Sequence, residues 1–210
     1  MSQRSFRRAR ARRIERERRR VANVKRRAMV AGATAGATLI FAASAQAAAY
    51  TVNTTADSTD TGGCTTAQVC SLRDAITAAN ASPGASGDTI TFANTVTGTI
   101  DLGTALSLSD TNGLTIKGPG AGALAVSGVK KAQVFRVSAP ATISGLTIED
   151  GYISDGDGGA IEATATLSLS DDTIKDSMST SYGGGVFNSK ATTIADSTIT
   201  GNTALSGGGV

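Results

Sequence analysis

Beyond about Tyr50, apolar residues recur at every second place in short runs, such as Thr166-Leu-Ser-Leu-Ser170 and Thr193-Ile-Ala-Asp196. Alternation of this kind marks a half-buried strand. The runs themselves repeat. Gly145-Leu-Thr-Ile-Glu-Asp-Gly151 returns as Asp171-Asp-Thr-Ile-Lys-Asp-Ser177 and as Asp196-Ser-Thr-Ile-Thr-Gly-Asn202, which spaces Ile148, Ile174 and Ile199 by 26 and 25 residues. A second marker keeps phase with the first. Gly158-Gly-Ala-Ile161 returns as Gly183-Gly-Gly-Val186 and Gly207-Gly-Gly-Val210, spaced 25 and 24. Two markers with one period outweigh the competing reading of a Thr/Ser/Gly-rich disordered tract.

Within a period no stretch offers ten residues at helical spacing, so each unit holds about three short strands separated by Gly, Asp, Asn or Ser turns. One unit cannot bury its own apolar face, but stacked units can. The fold expected is all-β: a right-handed parallel β-helix of about 24–26 residues per turn over residues 83–210. Upstream strands are read at Asp88–Phe92, Thr99–Leu102, Leu114–Lys117, Val134–Val137 and Ala141–Ser144, with a turn at Gly118-Pro-Gly120. The residues expected to face inward are Ile90, Phe92, Leu114, Ile116, Val126, Phe135, Val137, Ile143, Ile148, Ile161, Leu167, Leu169, Ile174, Val186, Ile194 and Ile199.

One segment breaks the strand pattern. Ser71-Leu-Arg-Asp-Ala-Ile-Thr-Ala-Ala79 puts Leu72, Ala75, Ile76 and Ala79 on one helical face. Ser71 suits an N-cap, and Asp74 takes the third-residue place of a capping box. A helix laid over the first turn would cover strand edges that otherwise invite aggregation. Residues 48–82 are therefore expected to form an N-terminal cap, with this helix inside it.

Charge divides the chain rather than describing it. The whole sequence carries net +3, yet thirteen of its 20 Lys and Arg lie between Arg4 and Arg27. From Ala28 onward there are seven basic and fifteen acidic residues, a net of −8. The basic run is followed by Ala28 to Ala49, uncharged and ending Ala45-Gln-Ala47. That order reads as a secretory signal peptide over residues 1–47 with a long basic n-region, cleaved after Ala47. A retained membrane anchor is the competing reading, but the stretch is mostly Ala, Gly, Thr and Ser and gains little from lipid. Arg26-Arg27 also resembles a twin-arginine export signal. A nucleic-acid-binding arm fits poorly, because only Phe6 interleaves the arginines. The mature protein is expected outside the cell or on its envelope, with no membrane span after cleavage.

Cys64 and Cys70 then lie where a disulfide can persist, and a zinc site lacks further ligands because the chain has no histidine. Closing so short a loop contributes roughly 2 kcal/mol. The same lack of histidine excludes Ser–His and Cys–His nucleophile systems.

Carboxylates remain as candidate chemistry. Asp171-Asp172 could serve acid/base work on a glycosidic bond, but both stand where Asp commonly bonds turn backbone. Asp155-Gly-Asp157-Gly-Gly159 resembles a calcium-binding loop without the third ligand and the closing Glu of an EF-hand. Arg73 and Arg136 have no partner legible in the sequence.

The order Tyr50-Thr-Val-Asn-Thr-Thr-Ala-Asp57, Cys64, Cys70-Ser-Leu-Arg-Asp-Ala-Ile76 and Gly87-Asp-Thr-Ile90 resembles the CSLREA-type N-terminal domain of exported bacterial β-helix proteins. Asp74 stands where that motif has Glu. The Gly-Gly-Ala-aliphatic and Ile199-Thr-Gly-Asn202 elements are similar to repeats of polymorphic outer-membrane proteins and β-helix adhesins, with Ile in place of Phe. The resemblance implies an extracellular or envelope protein and brings no catalytic residue. The function expected is a non-catalytic surface, adhesin-like or structural module, with extracellular polysaccharide or cell-surface components as partners. The alternative is a carbohydrate-active β-helix enzyme, a lyase or a hydrolase. The chain stops at Gly207-Gly-Gly-Val210, at the opening of another repeat, so further sequence downstream is expected.

Overall fold

The computed structural model describes residues 46–59, 64, 69–82 and 86–210. The expected leader lies outside the described residues apart from Gln46 and Ala47. The described chain is a parallel β-helix of about four turns with one short helix.

Each complete turn supplies one strand to each of three sheets, and every pairing is parallel. The six-stranded sheet runs β1 (Ala49–Val52), β2 (Asp88–Phe92), β5 (Leu114–Lys117), β8 (Ala141–Ser144), β12 (Leu167–Ser170) and β16 (Thr192–Ala195). The five-stranded sheet runs β3 (Gly98–Asp101), β6 (Leu124–Ser127), β9 (Thr147–Glu149), β13 (Thr173–Lys175) and β17 (Thr198–Thr200). The four-stranded sheet holds β4 (Leu106–Leu108), β7 (Phe135–Val137), β11 (Ile161–Ala163) and β15 (Val186–Asn188). A short ribbon pairs β10 (Tyr152–Ile153) with β14 (Met178–Ser179).

The register explains the repeat. Ile90, Ile116, Ile143, Leu169 and Ile194 form one inner column, and Ile100, Val126, Ile148, Ile174 and Ile199 another. Thirteen of the sixteen residues expected to face inward are buried. Phe92 and Ile199 are only partly covered, and Ile194 is 37% exposed. Ile194 and Ile199 keep the inner register, but β16 and β17 are the outermost strands of their sheets. Early turns depart from the period: Val126 partners Ile148 after 22 residues, whereas Leu106 partners Phe135 after 29. The loops between strands absorb the difference.

The corners are built from left-handed residues. Gly145, Asp171 and Asp196 have φ of 67°, 57° and 47°, and Asp150, Asp176 and Gly201 have 50°, 54° and 65°. Gly and Asp tolerate this conformation best, Asp through local side-chain bonding. Asp171 is therefore a turn residue, as its place in the repeat predicts. The Gly-Gly marker has a steric origin. Its first glycine takes φ of 71°, 61° and 67° in the three copies. Its second lies against the next turn's backbone, so a Cβ on Gly159 would stand 2.3 Å from the Gly184 carbonyl oxygen.

Side chains stitch one turn to the next at the corners. The Leu146 amide donates to Asp172 Oδ1 at 2.9 Å, and the Asp172 amide donates to Ser197 Oγ at 3.1 Å. A second ladder runs from the Gly151 amide to Ser177 Oγ at 2.9 Å and from the Ser177 amide to Asn202 Oδ1 at 3.0 Å. These bonds satisfy amides that the turning chain leaves off the sheet ladders.

Helix α1 (Leu72–Asn80) packs on β1, β2 and β4 and covers the first turn. Its expected face is buried at Leu72, Ala75, Ile76 and Ala79. The capping box is complete: the Asp74 amide donates to Ser71 Oγ at 3.0 Å, and the Ser71 amide donates to Asp74 Oδ2 at 3.3 Å. Such a cap is worth about 1 kcal/mol. Cys64 and Cys70 are disulfide-bonded with Cα atoms 4.7 Å apart. The Cys70 amide also donates to Asn53 Oδ1 at 2.8 Å, tying the helix start to the end of β1.

Candidate functional site

Only side chains on the outer faces and corners can meet a partner, because the inner columns fill the core. The outer faces differ. On the six-stranded sheet, Thr89, Thr115, Thr142, Ser168 and Thr193 form one outward column. Thr51, Thr91, Lys117, Ser144, Ser170 and Ala195 form the next. Neighbouring rungs stand about 4.8 Å apart and the two columns about 6.7 Å apart, as strand geometry dictates. Nine of these eleven side chains are hydroxyls, and Lys117 carries the only charge. Few of the hydroxyls are bonded within the described residues. Thr91 Oγ1 donates to the Tyr50 carbonyl at 3.3 Å and lies 3.4 Å from Thr51 Oγ1, and Ser144 Oγ donates to the Ile116 carbonyl at 3.4 Å.

The other two faces carry charge, in opposite-sign pairs across adjacent turns. Lys175 Nζ lies 2.8 Å from Glu149 Oε2 and 3.5 Å from Asp176 Oδ2. The Glu149 hydrogen bond, then its charge, raises the Lys175 ammonium above its ordinary value. Arg136 Nε lies 3.9 Å from Glu162 Oε2 and donates to Gln133 Oε1 at 2.7 Å. Lys130 Nζ lies 3.5 Å from Asp150 Oδ1.

Most remaining carboxylates serve the backbone or the cap. Arg73 grips Asp57 with two bonds, Nε to Oδ1 at 2.7 Å and Nη2 to Oδ2 at 3.0 Å. Both arginines thus have acidic partners that the sequence does not reveal. Arg73 also donates to the Thr104 carbonyl at 2.6 Å, and Asp57 Oδ2 accepts the Gly103 amide at 2.8 Å. Asp88 and Asp110 are buried and accept the Ala48 and Asn112 amides.

The Asp171-Asp172 pair is split by its corner. Asp171 is exposed at the left-handed position, whereas Asp172 turns inward and is 2% exposed. Burial pushes the Asp172 carboxyl up to about 6; hydrogen bonds from the Leu146 and Ser170 backbone oppose the rise, and the Asp171 charge adds to it. The two side chains do not present a shared acid/base pair to solvent.

The Asp155–Asp157 loop is similarly committed. Asp157 Oδ1 accepts the Tyr182 amide at 3.1 Å, and its carbonyl accepts Gln133 Nε2 at 2.6 Å. Among the described residues no group of three His, Cys, Asp or Glu side chains stands close enough to hold a metal ion.

The hydroxyl face escapes a reading of the sequence because Thr and Ser pass there as strand formers. Its signal is the period itself: polar residues flanking each inner Ile or Leu fall into columns once the 26-residue step is applied. Comparison with protein-family models, curated proteins and solved structures finds no match.

Proposed function

We propose that the protein is an exported, non-catalytic β-helix module that meets extracellular polysaccharide or cell-surface components through the hydroxyl face of its six-stranded sheet. The observation that carries this reading is the contrast between faces: one is almost uncharged and rich in free hydroxyls, while most carboxylates elsewhere are paired, buried or bound to backbone. Hydroxyl columns at strand spacing can share hydrogen bonds with a neutral polymer over several turns without desolvating a charge. The leader's composition supports export, and the cap-then-repeat order supports kinship with CSLREA-type domains. Among the described residues no helix is long and apolar enough to cross a membrane.

The alternative, a polysaccharide lyase or hydrolase, would work at Glu149, Lys175 and Asp176, where an acid, a base and a corner carboxylate meet on adjacent turns.

Binding separates a contact face from an inert one. The purified mature chain is expected to sediment with insoluble neutral polysaccharides or bacterial cell walls. A triple variant, Thr115→Glu, Thr142→Glu and Ser168→Glu, should lose retention by about tenfold or more, since each lost bond is worth about 1 kcal/mol. Its far-ultraviolet circular dichroism should stay unchanged. Equal retention of the two proteins, or none by the parent, contradicts the role of this face.

A further inference from the structure

Asp88 and Asp172 share an arrangement that the proposed contact face does not use. Each is buried at a joint between turns and accepts a backbone amide of the preceding turn through Oδ1: Ala48 for Asp88 at 2.7 Å, Leu146 for Asp172 at 2.9 Å. Each leaves Oδ2 shielded from solvent with no hydrogen-bond partner among the described residues. An ionised carboxylate offers about four acceptor sites. For Asp172, keeping half of them dry and unpaired is costly, whereas a neutral acid has less to lose.

Asp172 is the sharper case because the described residues around it supply no compensating cation. Its own corner contributes Asp171, whose charge opposes ionisation. The stacked corner one turn on contributes Asp196 beside Ser197, and the preceding corner contributes uncharged Gly145 and Leu146. The ion pairs among the described residues are all made elsewhere. The backbone that carries Asp172 is also fixed. Its amide is held by Ser197 Oγ, which in turn donates to the Ala195 carbonyl at 2.8 Å.

We infer that Asp172 is a proton-operated latch between the turn entered at Leu146 and the turn entered at Thr173: as a neutral acid in mildly acidic surroundings it holds the two together, and its ionisation loosens that joint. The folded chain binds this proton more tightly than the unfolded chain, near 6 against 3.8. The contribution is therefore complete below 3.8 and is lost as pH rises through about 6. Across that window the folding constant falls on the order of a hundredfold on account of this group, because each pH unit between the unfolded and folded midpoints is a factor of ten.

Two measurements test the latch on the full exported chain. Urea unfolding from pH 4 to pH 8 should show the parent losing stability relative to Asp172→Asn as pH rises. The amide keeps an acceptor oxygen for Leu146 but does not titrate. Carboxyl carbon NMR of the parent should place the Asp172 midpoint near 6, a readout that does not depend on the variant folding. A midpoint near 4, or parallel pH profiles for parent and variant, overturns the inference.

Discussion

Gly184→Ala is expected to cost at least about 3 kcal/mol of folding stability, the scale of severe overpacking against backbone that cannot yield. Its Cβ would lie 2.4 Å from the Thr203 carbonyl oxygen and 2.5 Å from the Gly208 carbonyl oxygen. Both oxygens belong to the next turn, and both are fixed. Thr203 accepts the Ser179 amide at 3.0 Å, and Gly208 accepts the Gly185 amide at 3.0 Å. Relief requires the turns to separate, which breaks these bonds and those from the Gly184 amide to the Gly207 carbonyl and from the Val186 amide to the Gly209 carbonyl. Gly122→Ala is the control, since a Cβ there meets nothing within 4 Å. It should stay within about 0.5 kcal/mol of the parent. Urea midpoints followed by circular dichroism distinguish the two. Equal midpoints would show that the stack has slack at this corner.

Arg73→Met is expected to cost about 3–5 kcal/mol by leaving the Asp57 carboxylate without its partner. The pair is nearly enclosed, with side-chain exposures of 16% and 11%. The guanidinium also bonds the Thr104 and Ala105 carbonyls, so it joins three pieces: the segment after β1, helix α1 and the loop before β4. Its loss should speed amide exchange in β1 and β4 before it affects β12 or β13. The double variant Arg73→Met with Asp57→Asn should recover part of the loss, because no uncompensated charge remains. A single variant as stable as the parent would mean that α1 is held by its apolar face alone.

These two sites also mark how far the sequence alone can be read. The Gly-Gly marker is legible because the same backbone contact recurs once per turn and demands the same residue each time. Likewise Ile148, Ile174 and Ile199 stand out because one inner column repeats one shape. Helix α1 is legible from local spacing and its cap, both set within nine residues. β10 and β14, at two residues each, are too short to carry a period. Strand β4 belongs to an early turn whose 29-residue step hides it from the later period. The Arg73–Asp57 pair depends on the path of the chain between residues 57 and 73, which residue type alone does not reveal.

Asp171-Asp172 shows the same limit more finely. As text the two are equivalent, and a strand would place them on opposite faces. The left-handed φ of 57° at Asp171 turns the chain so that the second carboxylate enters the joint between turns. One backbone angle separates a solvent-facing turn residue from a buried acid. The hydroxyl face is obscured for a related reason: Thr and Ser are ordinary in any strand, and they become a surface only when the register stacks them.

Asp172 and Asp157 accept backbone amides of neighbouring turns, and the proposed function has no carboxylate cleaving a substrate. The direct test is to incubate the purified protein with a panel of neutral and acidic polysaccharides and assay both reducing ends and unsaturated products. Retention on a polymer with no product above the no-protein blank is the expected result. Product release that disappears in Glu149→Gln or Lys175→Met, with the fold intact, would contradict it and move the function to the charged face.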